Sequence, residues 1–416
     1  MPSRGDHLLR GDRGFATGEG WLTRSIAPAF ARLLGTIDAK LERGGIHGTL
    51  PDGRTIDLGF HAPGHVATVR LTSYLALVRL ALTGSVGWYK AWEKGEWTSP
   101  DIVPLCALFM DNATSLAGTA RAKGPMRWLN RAAHLLRDNG LVKARENIAA
   151  HYDLGNDFYA EWLDPTMSYS SAIYAEGDDL EAAQRRKIDA LLDRLELKSG
   201  DRMLEIGCGW GSLAIAAAKR GASVVALTLS QEQKQWAEAK IVEAGLADRI
   251  EVRLQDYREC AERFDAIASV EMVEAVGERW WPDWFDAIER NLVPGGRAAV
   301  QYISIREKLF DDYRRSADFI QAYIFPGGML VSERAFEALA AKRGLSWEGR
   351  YGFGLDYART LAAWRARYDA AAERGALEGF SDEFHRLWHY YLGYCEGGFL
   401  GGGIDVAQVT MVKPRP

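Results

Sequence analysis

The sequence has few cysteines, no long apolar run and no large excess of one charge. Its four cysteines among 416 residues lie far apart and form no C-x-x-C pair, which disfavours a disulfide framework or a zinc site and is typical of a reducing cytoplasm. No uninterrupted apolar run reaches the roughly 18 to 20 residues that a spanning helix needs, and the N-terminus lacks a signal-peptide pattern. We therefore expect a cytoplasmic protein whose contact with the inner membrane surface is peripheral.

Other absences narrow the range of functions. The formal net charge of -5 does not indicate a nucleic-acid binder. His385 and His389 form an H-x-x-x-H pair without a third ligand nearby, so we expect no metal site. Neither a P-loop nor a Ser/His/Asp triad motif is present. The sequence leaves open whether the protein is a monomer or a homo-oligomer.

Residues 1–120 predict a small α+β module. An amphipathic helix is expected over residues 20–45, followed by the short strands IHGTL, TIDLGF and HVATVRLTS with the turn PDGR between the first two. Turn chemistry of this kind favours a small antiparallel sheet. The apolar and aromatic stretch 73–97 gives the module an apolar concavity, which either binds an acyl chain or is an ordinary core.

Residues 121–146 form a basic linker segment. It contains seven Lys and Arg residues against two acids, and Arg127 and Arg131 alternate with tryptophan and leucine. A basic amphipathic helix of this type lies on anionic lipid headgroups. A solvated linker helix is the alternative.

From residue 147 to residue 416, strands and helices alternate. The predicted strands are RMLEIG, SVVALTLS, IEVRLQD, FDAIASV and GGRAAVQYI, with helices at 212–220, 231–244 and 279–291 between them. This alternation predicts an α/β domain with a doubly wound, Rossmann-like parallel sheet whose ligand lies at the carboxyl ends of the strands.

The first of these strands runs into a glycine-rich turn, MLEIGCGWGSLAIAA, at residues 203–217. Gly207, Gly209 and Gly211 permit positive φ and a close approach of the backbone to a ligand. A dinucleotide site would place a carboxylate at the end of the second strand, but that strand ends in Thr228, Leu229 and Ser230. We therefore favour S-adenosylmethionine over a dinucleotide, with an ordinary tight turn as the alternative.

Eight sequence blocks occur in order along the chain: HYDLGNDFY (151–159), MSYSSAIY (167–174), LEIGCGWGSLA (204–214), TLSQEQ (228–233), LQDYR (254–258), SVEMVEAVG (269–277), YIFPGGML (323–330) and DYARTLAAW (356–364). Together they resemble the cyclopropane-fatty-acyl-phospholipid synthase family, which includes the mycolic acid cyclopropane synthases. The resemblance implies a class I methyltransferase fold for residues 147–416, S-adenosylmethionine as cofactor and a lipid substrate.

The resemblance also implies a role for individual residues of the cofactor pocket. Tyr169 and Ser170 would lie over the methionine part, Gly207 and Gly209 along the backbone, Thr228, Leu229 and Gln233 at the ribose, and Asp256 and Tyr257 at the adenine.

Members of the family hold a bicarbonate ion near the reacting carbon, and here the match is incomplete. Glu274, Ile303 and Tyr357 match family positions, whereas Ser171 replaces a cysteine and Gln301 replaces a histidine. The Ser171 backbone N–H and the Gln301 amide can still donate hydrogen bonds.

A further departure is Glu271, where several relatives have glycine. Glu271 and Glu274 are three residues apart, so they would share a face if the chain turns helically there. A pair of carboxylates can raise one pKa toward that of a useful base. Glu271 as a positioning or solvated residue is the alternative.

The implied chemistry is the addition of a one-carbon unit to an alkene. The resulting carbocation needs a water-free, electron-rich pocket, for which Tyr302, Tyr323 and Phe325 are candidate walls beside Ile303, and a base, for which we favour Glu274 with or without bicarbonate. Loss of a proton from the new methyl group closes a ring, and loss of another proton gives a branch.

We therefore expect an enzyme that forms a cyclopropane fatty acid in an unsaturated membrane phospholipid. A methyltransferase that acts on an acyl carbon and gives a methyl- or methylene-branched product is the nearest alternative. A non-catalytic lipid-binding protein that kept the fold is a third.

Overall fold

The structure is a computed structural model that describes residues 4, 27–116, 154–315 and 317–416. The strands are β1 Gly45–Thr49, β2 Thr55–Gly59, β3 Val66–Leu71, β4 Trp97–Thr98, β5 Arg202–Ile206, β6 Ser223–Thr228, β7 Ile250–Leu254, β8 Phe264–Val270, β9 Leu292–Ile305, β10 Glu348–Gly352 and β11 Ile404–Val412. The α-helices are α1 Ala27–Lys40, α2 Leu75–Thr83, α3 Ser85–Glu93, α4 Val103–Asp111, α5 Asn156–Ala160, α6 Leu180–Leu195, α7 Ser212–Lys219, α8 Gln231–Glu243, α9 Trp281–Asn291, α10 Glu307–Tyr313, α11 Phe319–Tyr323, α12 Glu333–Lys342, α13 Gly354–Glu373 and α14 Asp382–Leu400.

The chain divides into two compact units, each built from three segments. The first comprises Met1–Arg137, Lys308–Pro326 and Glu378–Ile404, and the second comprises Asp138–Glu307, Gly327–Leu377 and Asp405–Pro416. The segments around α11 and α14 thus belong with the N-terminal residues. The basic segment 121–146 lies outside the described residues, so its role as a linker stays a prediction.

The first unit contains a four-stranded sheet in the order β2-β1-β3-β4. β1 and β2 form the expected antiparallel hairpin, but β1 and β3 are parallel, so the prediction of an antiparallel sheet was wrong for this pair. Two chain reversals, one after β1 and one after β2, return β3 to the direction of β1. A buried ion pair joins Arg79 to Glu96 within this unit, with Nε to Oε2 at 2.9 Å.

The second unit contains a seven-stranded sheet in the order β10-β11-β9-β8-β5-β6-β7. The five predicted strands are present as β5 to β9 and pair in parallel, which confirms the doubly wound α/β fold. The chain extends from β5 through β6 to β7 and then returns to place β8 on the other side of β5. The carboxyl ends of β5 and β8 are therefore the position where such sheets bind ligands.

Helix α7 explains how the first crossover packs so closely. Its sequence, SLAIAAAK, buries Leu213, Ala214, Ala217 and Ala218 against the sheet, and alanine is both the best helix former and the smallest side chain with a Cβ. Across all described residues, no helix is long and apolar enough to cross a membrane.

Candidate active site

The glycine turn after β5 has the backbone that its sequence predicts. Gly207, Gly209 and Gly211 all have positive φ, at 83°, 51° and 92°. A Cβ added at Gly207 would clash with Met272, whereas one added at Gly209 would meet no atom within 4 Å. The turn thus has no room for a side chain at Gly207, whereas Gly209 faces open space.

The next strand ends in a small buried network. Thr228 at the end of β6 donates from Oγ1 to Oε1 of Gln233 at 3.0 Å, and Ser230 caps α8 by accepting from the Gln233 backbone N–H at 3.2 Å. These bonds fix the Gln233 side chain at the carboxyl end of the sheet. The structure thus brings together two of the residues predicted for the ribose, with Leu229 between them half-buried.

β7 is followed by Asp256 and Tyr257, predicted for the adenine. The Asp256 carboxylate is buried and forms a two-point ion pair with the Arg258 guanidinium, whose Nη2 lies 2.7 Å from Oδ2. The Tyr257 hydroxyl is buried and contacts no hydrogen-bond partner among the described residues. Burial raises the pKa of Tyr257. An unpartnered buried hydroxyl costs free energy, so this position favours a polar ligand group.

Tyr169 and Ser170 lie on the loop before α6. The Tyr169 ring packs against Tyr159, Trp162 and Trp364, each with a centroid distance between 5.4 and 5.5 Å. The Ser170 hydroxyl accepts from Nζ of the buried Lys187 at 2.5 Å. A buried side chain of the protein therefore fixes the position of the Ser170 hydroxyl.

The residues predicted for the anion site meet around the carboxylate of Glu271. Its Oε1 accepts from the Ser171 backbone N–H at 2.9 Å and from the Gln301 side-chain amide at 2.7 Å. Its Oε2 accepts from the Tyr357 hydroxyl at 2.6 Å. We call Glu271, Ser171, Gln301 and Tyr357 the carboxylate cluster.

Glu274 lies beside this cluster on the short 3₁₀ turn Val273–Ala275. Its Oε1 accepts from the Ile303 backbone N–H, and its Oε2 is buried with no hydrogen-bond partner among the described residues. The backbone carbonyl of Glu274 accepts from Met329 N–H at 2.7 Å, which fixes the turn.

The two carboxylates are unequal in their capacity to ionise. Burial and the negative charge of Glu271 raise the pKa of Glu274 to about 8. Burial also raises the pKa of Glu271, but the hydrogen bonds from Tyr357, Gln301 and Ser171 and the charge of Lys187 oppose that rise. Because hydrogen-bond donors stabilise an ionised carboxylate, the three donors favour the charged form of Glu271, whereas burial beside that charge favours the protonated form of Glu274.

Tyr302 lies outside the carboxylate cluster, and the contact of Tyr323 and Phe325 with substrate stays a prediction. Neighbouring residues on a strand face opposite sides of the sheet, so Tyr302 turns away from Gln301 and Ile303, and its hydroxyl donates to Glu333 at 3.0 Å. Tyr323 and Phe325 belong to the first unit, where Tyr323 packs on Tyr89 with ring centroids 4.7 Å apart.

The sequence analysis missed Lys187 and Gln408. Lys187 is buried on the apolar face of α6, and burial lowers its pKa to about 8 although the charge of Glu271 opposes the shift. Gln408 on β11 donates to the Gln301 side-chain carbonyl at 3.0 Å and so orients the amide that faces Glu271. The signal for Lys187 was a lysine at helical spacing between Ala183 and Leu191 in the buried stripe.

Comparison with known proteins identifies the family to which this chain belongs. The family described as Mycolic acid cyclopropane synthetase matches residues 140–409. The chain belongs to this family. Tuberculostearic acid methyltransferase UfaA1 of Mycobacterium tuberculosis is 37% identical over 380 residues, which cover 88% of this chain and 85% of the relative. Cyclopropane-fatty-acyl-phospholipid synthase of Escherichia coli is 39% identical over 264 residues, covering 63% of this chain and 66% of that enzyme.

Solved structures agree with the family assignment. The crystal structure of mycolic acid cyclopropane synthase CmaA1 complexed with SAH and CTAB superposes with a TM-score of 0.60 at 30% identity, covering 65% of this chain and 98% of that one. The resemblance to the cyclopropane synthases is thus confirmed. This member of the family has the fold of an S-adenosylmethionine-dependent methyltransferase of class I.

The residues of the cofactor pocket fit S-adenosylmethionine. Open space at Gly209 and the unpartnered hydroxyl of Tyr257 lie after β5 and β7, at the sheet edge where this fold binds its cofactor. Among the described residues, no group of three or more His, Cys, Asp or Glu side chains is arranged to hold a metal ion.

Proposed function

We propose that this protein transfers a one-carbon unit from S-adenosylmethionine to the double bond of an unsaturated acyl chain in membrane phospholipid. The observation that carries the proposal is similarity along 88% of the chain to a fatty-acid-directed relative, the tuberculostearic acid methyltransferase. The cyclopropane-fatty-acyl-phospholipid synthase relative supports phospholipid as the carrier of the acyl chain.

A branched acyl chain is the product that we favour. The methyltransferase relative spans both units of this chain, whereas the cyclopropane synthase relative covers 63% of it. Two residues predicted for the anion site, Ser171 and Gln301, also depart from the family pattern, and both donate hydrogen bonds to Glu271. A cyclopropane ring is the second candidate, and the family description favours it.

The chain's own residues would divide the work between the carboxyl ends of different parallel strands of the same sheet. Gly209, Gln233 and Tyr257 would hold the cofactor. When bound, S-adenosylmethionine supplies an electrophilic methyl group whose addition to an alkene leaves a carbocation on the acyl chain. The carboxylate cluster would accept the proton that this cation must lose, and its buried residues Ser171, Gln301 and Tyr357 would limit the access of water that would otherwise trap the cation.

The test is to incubate the purified protein with S-adenosylmethionine and vesicles of a monounsaturated phospholipid. We expect the acyl chains to gain one CH₂ unit, and a remaining double bond after the gain would identify the branch. Upfield cyclopropane protons in the NMR spectrum would identify the ring. Vesicles of the saturated phospholipid are the matched control, and no gain on either lipid would favour a lipid-binding protein without catalysis.

We also propose that the basic segment 121–146 attaches the protein to anionic membranes. Reversing Arg127 and Arg131 to Glu should weaken binding to anionic vesicles by about 1 kcal/mol per lost contact. The control reverses Lys198 and Lys219, two exposed lysines of the second unit, and so changes the net charge equally. Vesicle cosedimentation across a salt series measures the difference, and equal losses in both pairs would contradict a specific role for the segment.

A further inference from the structure

The Glu271 carboxylate is held as a bound anion is held. It accepts three hydrogen bonds at 2.6 to 2.9 Å, from a backbone N–H, a side-chain amide and a phenol. Three donors on two oxygens suit a carboxylate and equally suit a small oxyanion. The donors come from residues that are 100, 30 and 86 positions away in the sequence, so the tertiary fold assembles this receptor.

These donors belong to the set that the family resemblance assigns to bicarbonate. Ser171, Gln301 and Tyr357 donate to Glu271, and the Ile303 backbone N–H donates to Glu274. The chain's own carboxylates therefore engage all four of these groups. A separate anion would have to displace one of them and then bear the repulsion of a second negative charge.

The backbone at Glu271 carries a cost that the side chain must offset. Its φ is +46°, in the left-handed region where a residue with a Cβ is disfavoured by roughly 1 kcal/mol relative to glycine. Glycine would fit this backbone better and would leave the three donors facing a space of about carboxylate size. The carboxylate is thus the specific addition that this chain makes.

The charges at the site also favour a single fixed anion. The charge of the buried Lys187 opposes the rise that burial gives to the pKa of Glu271, whereas burial and the charge of Glu271 both raise the pKa of Glu274. These shifts favour one anion, fixed to the protein by its three donors, with a protonated carboxyl group beside it. Gln408 fixes the orientation of Gln301 from the opposite side, with Nε2 3.0 Å from the Gln301 Oε1.

We propose that Glu271 replaces the bicarbonate ion of its relatives and is itself the base of the reaction. The electron pair of the broken C–H bond fills the vacant orbital of the carbocation on the acyl chain, and the released proton binds a carboxylate oxygen of Glu271 and later returns to water. Glu274 positions Ile303 and the 3₁₀ turn in its neutral form. This inference rests on the proposed function for its substrate and on the structure for its anion site.

Chemical rescue tests the proposal. In buffer freed of carbon dioxide, the parent enzyme should turn over at the same rate, within about twofold, with and without added bicarbonate. Glu271→Gly should lose about 100-fold or more in turnover, the usual worth of a general base. Millimolar bicarbonate should restore at least about tenfold, since the donors are then open to an oxyanion. Glu271→Gln is the matched control, and its amide should fill the space and block rescue.

A binding experiment keeps the test independent of the lipid. We expect ¹³C-bicarbonate to show saturable NMR line broadening with Glu271→Gly and none with the parent or Glu271→Gln. Affinity for S-adenosylhomocysteine within a few-fold of the parent verifies that each variant is folded. If phospholipid is not the substrate, all turnover is lost but this binding pattern remains.

Two results would overturn the proposal. One is a parent enzyme that loses activity when bicarbonate is depleted and regains it on addition. The other is a folded Glu271→Gly protein that binds no bicarbonate, or that stays active without it.

Discussion

The carboxyl ends of two neighbouring parallel strands, β5 and β8, are followed by residues that share a positive φ but serve opposite purposes. Gly209 after β5 and Glu271 after β8 have similar positive φ angles, 51° and 46°. At Gly209 the missing side chain leaves open space, whereas at Glu271 a carboxylate fills the space and accepts three hydrogen bonds. This fold can therefore leave a site open for a ligand or supply the ligand's chemistry from its own residues.

The largest effect of a substitution is expected at Gly209, in the turn after β5. Gly209→Val should lower S-adenosylmethionine affinity by about 100-fold or more, because a branched side chain fills the cradle and resists positive φ. Isothermal titration with S-adenosylhomocysteine measures the loss.

Gly245→Val is the matched control for backbone strain. Gly245 also has positive φ, at 69°, with no atom within 4 Å of an added Cβ, and it follows the far end of α8, about 20 Å from the start of that helix. The control should lose folding stability but keep its affinity. Equal affinities in the two variants would remove Gly209 from the cofactor site.

Local sequence predicted the turn at Gly209 better than it predicted the site at Glu271. The turn from β5 into α7 depends on neighbouring glycines and alanines, so its form was predictable within 15 residues. The site at Glu271 depends on Ser171, Gln301 and Tyr357, which reach the Glu271 carboxylate only after the sheet and α13 have formed. No local pattern predicts a positive φ at a glutamate.

The sheet's other edge escaped prediction for a related reason. β11 lies next to β9, and β10 pairs with β11 in antiparallel orientation. All five residues of β10 are exposed, and its sequence, EGRYG, therefore carries no alternation of buried and exposed side chains. Its Glu348 pairs with Thr410, 62 positions further on, so tertiary pairing and not local propensity defines the strand.

The next effect concerns the proton on Glu274. An unfolded carboxyl group ionises near 4.5, whereas burial and the charge of Glu271 raise the pKa of folded Glu274 to about 8. Between these values the folded protein holds a proton that the unfolded chain has released, so stability falls as pH rises. Glu274→Gln removes this dependence and should raise the free energy of unfolding at pH 8 by roughly 1 to 3 kcal/mol.

Denaturant unfolding at pH 8 and at pH 4.5 measures this difference, which should nearly vanish at the lower pH. The control Glu176→Gln removes an exposed carboxylate on the same unit. We expect Glu274→Gln to reduce turnover less than Glu271→Gln does, because it preserves the neutral form and the acceptor for Ile303. The reverse order would return the base to Glu274.

The smallest effect should come from one donor of the carboxylate cluster. The Tyr357 hydroxyl lies 2.6 Å from Oε2 of Glu271 and lowers the pKa of that group. Tyr357→Phe should raise the pKa of Glu271, move the acid limb of the pH–rate profile upward and cut turnover about tenfold, the worth of one hydrogen bond to a charged group. Tyr351→Phe, on a half-exposed ring stacked 5.7 Å from Phe353, is the control. An acid limb that stays in place while turnover falls would mean that Tyr357 only packs against the substrate. The site at Glu271 would then differ from the turn at Gly209 in shape alone, without a difference in charge.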